Sequence, residues 1–208
     1  MREMGPRKKQ PELDFGRAHA PRREHGGDVD AKLRKLARPL DAGLALHVVL
    51  HSSRARGEWS FLHRRNRSRV EKLLYSEAPK NGVRLDRIAN VGNHLHLLLR
   101  YMQRADLQRF FRVAAGLIAR AVTGARKGRK IGKFWDSTLY SRLVTWGREW
   151  KAVCAYFVKN NLEAIGFRGA RLRFTAGREP VVVVGRLKPG DASREYCFLS
   201  AEQRKLVS

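Results

Sequence analysis

His94 and His96 stand one residue apart in the stretch Val91-Gly92-Asn93-His94-Leu95-His96-Leu97-Leu98-Leu99-Arg100. Alternate side chains of a β-strand point the same way, so both imidazoles would leave one face and could bind a metal. For an arbitrary His-x-His, a polar or half-buried strand face is the more frequent meaning. A second pair raises the stakes. Tyr156 and Asn160 are four residues apart in a helical pattern and emerge from one face, one turn after the other. A helix laid over the sheet could present both to the histidines. The set would then hold two imidazoles and an amide oxygen as ligands, with a phenol oxygen as nucleophile. Such donors suit Mg²⁺ or Mn²⁺ at a phosphate-handling centre, where the metal draws charge from the scissile phosphate. A tyrosine that attacks phosphorus is held as a covalent phosphotyrosine.

These residues need a sheet and a covering helix, and the pattern supplies both. The run Leu44 to His51 is short and aliphatic, follows the turn signal Asp41-Ala42-Gly43, and reads as a strand. Ser60 suits an N-cap, and Phe61 to Ala78 reads as an amphipathic helix with Leu62, Val70, Leu73 and Leu74 inward, ended by Pro79 and Asn81-Gly82. Val83 to Val91 and Asn93 to Tyr101 form a hairpin about the Gly92-Asn93 corner. Leu107, Phe110, Phe111, Ala114, Leu117, Ile118 and Ala121 mark a helix over Asp106 to Thr123, terminated by Gly124. Phe134 to Trp146 reads as a fourth strand, and Arg148 to Ile165 as a helix closing at Gly166. The order predicts an α+β, ferredoxin-like split βαβ fold: a four-stranded antiparallel sheet with helices on one face, plus an extra helix carrying Tyr156.

The chain has 208 residues, enough for one well-cored domain with extensions. Lys and Arg number 44 against 19 Asp and Glu, a net charge of +25 that calls for a polyanionic partner. No apolar run approaches a membrane span and the N-terminus lacks a secretory core, so the expected location is cytoplasmic. Two cysteines without a CxxC pair indicate neither a disulfide framework nor a thiolate metal site. Residues 1–39, rich in Arg, Lys, Pro and Gly, read as a basic disordered arm, 40–168 as the domain, and 169–208 as an extension with a Val181–Val184 run and a short helix near 200–206. Phosphate contacts are expected from Arg64, Arg65, Arg67, Arg69 and Lys72 on the first helix, and from Arg126, Lys127, Arg129 and Lys130 in the loop after the second. Taken singly, each is more readily an ordinary solvated charge. Phe134, Trp135 and Tyr140 could stack on unpaired bases, although strand aromatics more often serve the core. No GxxxxGK[ST] loop is present.

Four pieces together resemble a known family. His47 to His51, Val91 to Leu99, Phe134 to Trp146, and Tyr156 to Phe167 run in the order found in the single-tyrosine HUH transposases, most closely the REP-associated tyrosine transposases. The likeness spans roughly residues 43–168. It implies His94 and His96 as metal ligands, Tyr156 as nucleophile, and Asn160 as a third ligand or positioning group, with Mg²⁺ or Mn²⁺ as cofactor. The implied substrate is hairpin-bearing single-stranded DNA, cleaved to a 5′-phosphotyrosyl link and a free 3′-OH. Another 3′-OH later reverses the step. Both a monomer and a homodimer fit, and with a homodimer Tyr156 could serve the other copy's histidines. Gly92 stands where the family commonly has proline, giving up a fixed φ; His51 replaces an arginine, and Asn161 a proline. None of these removes a catalytic group. Tyr140 competes as nucleophile, but Tyr156 has Asn160 as a companion. The alternatives are a catalytically silent or domesticated DNA- or RNA-binding protein on the same fold, or a ribosome-associated RNA-binding protein.

Overall fold

A computed structural model describes residues 23–26, 37–129, 131–136, 138–167, 171–173 and 181–183. In chain order the elements are β1 (Glu24–His25), β2 (Ala45–His51), a 3-10 turn (Gly57–Trp59), α1 (Arg67–Lys80), β3 (Val83–Asn90), β4 (His94–Tyr101), α2 (Arg104–Thr123), β5 (Tyr140–Val144), α3 (Arg148–Ala164), β6 (Arg171–Arg173) and β7 (Val181–Val183). The main sheet has the order β1-β5-β2-β4-β3. All its neighbours are antiparallel, so β4 lies between the parallel pair β2 and β3. That is the expected ferredoxin-like split βαβ arrangement, extended at one edge by β1.

Period-two alternation sorts the two faces. Leu46, Val48 and Leu50 of β2 and Leu95, Leu97 and Leu99 of β4 point into the main core, under Val70 and Leu74 of α1 and Phe110, Ala114 and Ile118 of α2. The opposite face holds Ala45, Ala89, Leu98 and Val144 beneath Cys154 and Phe157 of α3. The small side chains of Ala45 and Ala89 let α3 lie close, and burying Phe157 contributes about 2–3 kcal/mol. The histidines lie on this second face.

Three elements depart from the sequence pattern, each for a tertiary reason. Helix α1 begins at Arg67 and not at Phe61. Residues before it run in turns that let Phe61 reach full burial, its N–H bound to Gly92 O at 2.7 Å and its ring stacked on Trp135 at 5.6 Å. Ser60 is not the N-cap of α1, a position held by Asn66; its hydroxyl donates to Gly92 O at 3.3 Å and accepts from the Leu62 N–H at 3.2 Å. The strand read over Phe134 to Trp146 is confined to Tyr140–Val144. Phe134 is buried, and the Trp135 indole N–H donates to Ala115 O at 3.1 Å, so these two aromatics serve the core and do not await a base.

The third departure is in the basic arm, which contributes an edge strand. Glu24 pairs with Arg142 and His25 with Ser141 across β1 and β5. Arg23 reaches Leu143 O at 3.0 Å and Glu149 at 2.6 Å, while Arg142 meets the same carboxylate at 2.8 Å. Burial alone would raise the Glu149 pKa, but the hydrogen bonds from Thr145 and the charge of Arg23 outweigh it and bring it down to about 2. A depressed folded-state value contributes stability above the unfolded carboxylate range and loses it as pH falls toward 2. Glu149→Gln should therefore cost about 1–2 kcal/mol at pH 7, a modest figure because Arg23 and Arg142 are 38% and 42% exposed. Urea unfolding at pH 7 and pH 3 checks this: the gap between variant and wild type should shrink at the lower pH.

Toward the C-terminus, β7 pairs with β6 as a separate two-stranded sheet and does not extend the main one. The helix expected near 200–206 lies outside the described residues. Among the described residues, no helix is long and apolar enough to cross a membrane.

Candidate functional site

Strand register gathers four histidines. His51 pairs with His94 and Val49 with His96 across β2 and β4, so His47, His51, His94 and His96 share the face opposite the main core. Ring centroids lie 4.8 Å apart for His94 and His96, 5.3 Å for His47 and His96, and 6.1 Å for His51 and His94. Helix α3 crosses the same face. It carries the Tyr156 ring to 5.3 Å from His96, at an interplanar angle of 89°, and to 6.1 Å from His47. Asn160 follows one turn later, with an amide nitrogen that is buried and has no hydrogen-bond partner. Tyr156 is 44% exposed, open to a large substrate.

Asn161 holds α3 in place. Its side chain accepts from the Asn90 N–H at 3.1 Å and donates to Ile88 O at 3.0 Å, clamping the helix to β3. A proline at this position would supply neither bond. Phe157, on the buried side of the helix, sets its edge against His47 at 5.3 Å and His96 at 5.9 Å.

Gly92 is equally committed. Its φ of +97° lies where proline cannot go, and its N–H donates to Asn90 Oδ1 at 3.1 Å. Its carbonyl accepts from Phe61 and Ser60. The corner before the histidines is thus fixed by hydrogen bonds in place of a locked φ. Gly92→Pro should lower stability by about 2 kcal/mol or more, read as a fall in the urea midpoint.

Burial sets the protonation of the cluster. It lowers the His96 pKa to about 3, helped by the neighbouring His47 and His94, and lowers the His47 pKa to about 4, helped by Arg142. His94 is lowered by burial and then by His51. All three are neutral at pH 7 and offer lone pairs. His96 Nδ1 lies 3.1 Å from His47 Nε2, while His96 Nε2 is buried without a partner. His94 Nδ1 is 2.8 Å from Asn93 Oδ1. With protons on both Nδ1 atoms, each histidine keeps an unshared Nε2 pair. The free lone pair of the buried His96 Nε2 suits a cation, whereas the unpartnered Asn160 Nδ2 is itself a hydrogen-bond donor, so only the Oδ1 of that residue could serve as a ligand. Among the described residues, no group of three or more His, Cys, Asp and Glu side chains is placed to hold a metal, so the fit rests on two imidazoles and the Asn160 amide.

Tyr140 shares this face, its ring 6.4 Å from His47. Burial, then the charge and hydrogen bond of Glu24, push its phenol up to about 12. It holds its proton tightly.

The basic residues divide. Arg65, Arg69 and Arg129 converge with Arg54 and Trp59 on a groove of about 710 Å³, where the Arg54 guanidinium lies 5.3 Å from the Trp59 ring centroid. Arg64, Arg67, Lys72, Arg126 and Lys127 do not line it, and Arg67 faces Glu71 at 3.9 Å. Lys130 lies outside the described residues. Helix α1 covers the face away from the histidines, so its cations and the cluster are on opposite sides of the sheet.

The sequence marks His47 only as part of a strand, and strand pairing is what brings it beside His96. The available signal was the even spacing of His47, Val49 and His51, which places both histidines on one strand face once β2 is paired with β4. Trp59, which lines the groove, carries no periodic signal in the sequence because it stands in a 3-10 turn.

No protein-family model matches the chain, and no curated protein matches it. Among crystal structures it is similar to a protein of Deinococcus radiodurans R1 provisionally designated a transposase. The identity is 17% and the TM-score 0.39, over 62% of this chain and 98% of that one.

Proposed function

We propose that this chain is a metal-dependent transposase that cleaves and rejoins single-stranded, hairpin-bearing DNA through a 5′-phosphotyrosine intermediate. The observation that carries the reading is the placement of the Tyr156 ring 5.3 Å from His96, whose Nε2 is buried and unpartnered. His94, His96 and Asn160 would hold the ion. Of the two candidate ions, Mn²⁺ suits an imidazole-containing set better than Mg²⁺, which demands oxygen donors. A bound ion would withdraw charge from a nonbridging oxygen of the scissile phosphate.

The chain's own residues supply the rest. The Tyr156 phenol oxygen forms a bond to phosphorus as the bond to the 3′ oxygen breaks. The phenol proton leaves to solvent, to which this side chain is open, and the departing 3′ oxygen takes up a proton. Reversal by another 3′-OH regenerates the phenol, and the phosphoester count is conserved, so no nucleotide hydrolysis is required. Arg65, Arg69 and Arg129 would seat phosphates in the groove beside Trp59.

The test is incubation of the full chain with Mn²⁺ and end-labelled hairpin-bearing single strands. A covalent protein–DNA adduct and a free 3′-OH are expected. Binding without an adduct across such substrates would favour a second reading, a catalytically silent nucleic-acid-binding module. What favours that reading is the His47–His96 contact at 3.1 Å, which satisfies part of the cluster without a metal.

A further inference from the structure

Behind His94, a line of hydrogen bonds runs back to a carboxylate. His94 Nδ1 is 2.8 Å from Asn93 Oδ1, Asn93 Nδ2 is 3.2 Å from His51 Nε2, and His51 Nδ1 is 2.7 Å from Asp136 Oδ2. Asp136 accepts from the Ser53 N–H at 2.8 Å and the Ser53 hydroxyl at 2.9 Å, and its own N–H donates to His51 O at 3.2 Å. Burial pushes the Asp136 carboxyl up, but the bonds from Ser53 and His51 outweigh this and hold it below its ordinary value. Three segments distant in sequence meet here: the end of β2, the corner between β3 and β4, and the loop before β5.

The chain of bonds has a direction. A carboxylate only accepts, so in the neutral ring the His51 proton sits on Nδ1 toward Asp136 and its Nε2 is an acceptor, facing Asn93 Nδ2. The amide NH₂ of Asn93 must then face His51, which turns its carbonyl oxygen toward His94. That oxygen requires a proton on His94 Nδ1, leaving the lone pair on Nε2. An unconstrained imidazole side chain prefers the opposite tautomer, with the proton on Nε2. A site that uses His94 Nε2 as a ligand therefore needs a device to keep the proton on Nδ1.

We infer that Asp136, His51 and Asn93 are positioning residues that hold His94 in its metal-binding tautomer. The inference rests on the proposed function for its account of what Nε2 binds. The tautomer itself is measurable without metal or substrate.

Histidine-selective ¹⁵N labelling of the full chain, with long-range ¹H–¹⁵N correlation at pH 7.5 and no metal, assigns the protonated nitrogen of His94. Wild type should carry the proton on Nδ1. Asn93→Leu, which removes both links, and His51→Phe, at the exposed end of β2, should move His94 toward the Nε2–H form. Mn²⁺ affinity, read by electron paramagnetic resonance, should fall about 10- to 100-fold in both. Asn93→Asp keeps an acceptor for the Nδ1 proton and should keep the wild-type tautomer, which a loss of local structure alone would not explain. Should Asn93→Leu fail to fold, His51→Phe carries the comparison. A wild-type His94 protonated on Nε2, or an unchanged Nδ1–H form in the folded variants, overturns the inference. A tautomer shift in a protein whose wild type binds no Mn²⁺ supports the positioning chain and sinks the metal site of the proposed function.

Discussion

Tyr156→Phe should fold like the wild type and form no covalent adduct with single-stranded DNA in the presence of Mn²⁺. The ring contacts with His96 and His47 do not involve the hydroxyl, so phenylalanine keeps them. With the side chain 44% exposed, the stability change should stay within about 0.5 kcal/mol. Strand cleavage loses its nucleophile outright, and the residual rate should drop by a factor on the order of 10⁴ or more. Tyr140→Phe is the informative companion. Its phenol, pushed up to about 12, is not the attacking group proposed here, so the adduct should still form. An adduct that survives in Tyr156→Phe and vanishes in Tyr140→Phe would reverse the assignment.

The second large effect has opposite signs for stability and for binding. His47 and His96 are buried together, one nitrogen of His96 has no partner, and both pKa values are depressed, to about 4 and about 3. Replacing the pair with leucines removes the unpartnered group and both donors and acceptors at once. The double variant His47→Leu/His96→Leu should gain about 1–3 kcal/mol while losing Mn²⁺ binding. The pH dependence fixes the sign. Below the ordinary histidine value of 6.5 the unfolded chain binds protons that the folded one refuses, so wild-type stability falls as pH drops from 6.5 toward 3–4. The double variant should lose that part of the acid slope. Thermal melts between pH 7.5 and pH 4 measure it, and a double variant less stable than wild type at every pH would contradict the account.

Much of the fold could be read from the sequence because β2, β4 and α2 carry strong local patterns. The leucine alternation of β4 and the three-and-four spacing of α2 state which face is inward without any knowledge of neighbours. The Gly92-Asn93 corner and Gly124 marked real boundaries for the same reason, since a positive φ is a local requirement. What escaped depended on contacts distant in sequence. Phe61 fits a helical pattern, yet its best burial is against Trp135 and the Gly92 carbonyl, and that delays α1. Phe134 and Trp135 have strand-forming side chains but are drawn into the core beside α2. Arg23 looks like one more charge in a basic tail until Glu149 and Leu143 O are seen to receive it.

The site divides along the same line. Tyr156 and Asn160 were legible as one helix face, and His94 and His96 as one strand face. His47 and Asp136 were not, because their significance depends on strand register and on a loop that returns from the far side of α2. Asn161 is a related case. As the replacement for a family proline it looked like a departure, whereas its two bonds to β3 set the height of the helix that bears Tyr156.

The short strand β1 bears on how copies of this protein meet. An open sheet offers unpaired backbone groups along its outer strands, and identical chains can polymerise by docking there. On the β5 side those groups are already taken by Glu24 and His25, with Arg142 lying 3.6 Å from Glu24, and Gly26 passing so close to the Leu139 carbonyl that a side chain would not fit. To pair with β5 itself, a second molecule would have to peel this segment away, breaking the Arg23–Glu149 and Glu24–Arg142 ion pairs. The sequence that looked like a tether for nucleic acid also works as a selvedge, finishing the fabric where it would otherwise unravel into its neighbours.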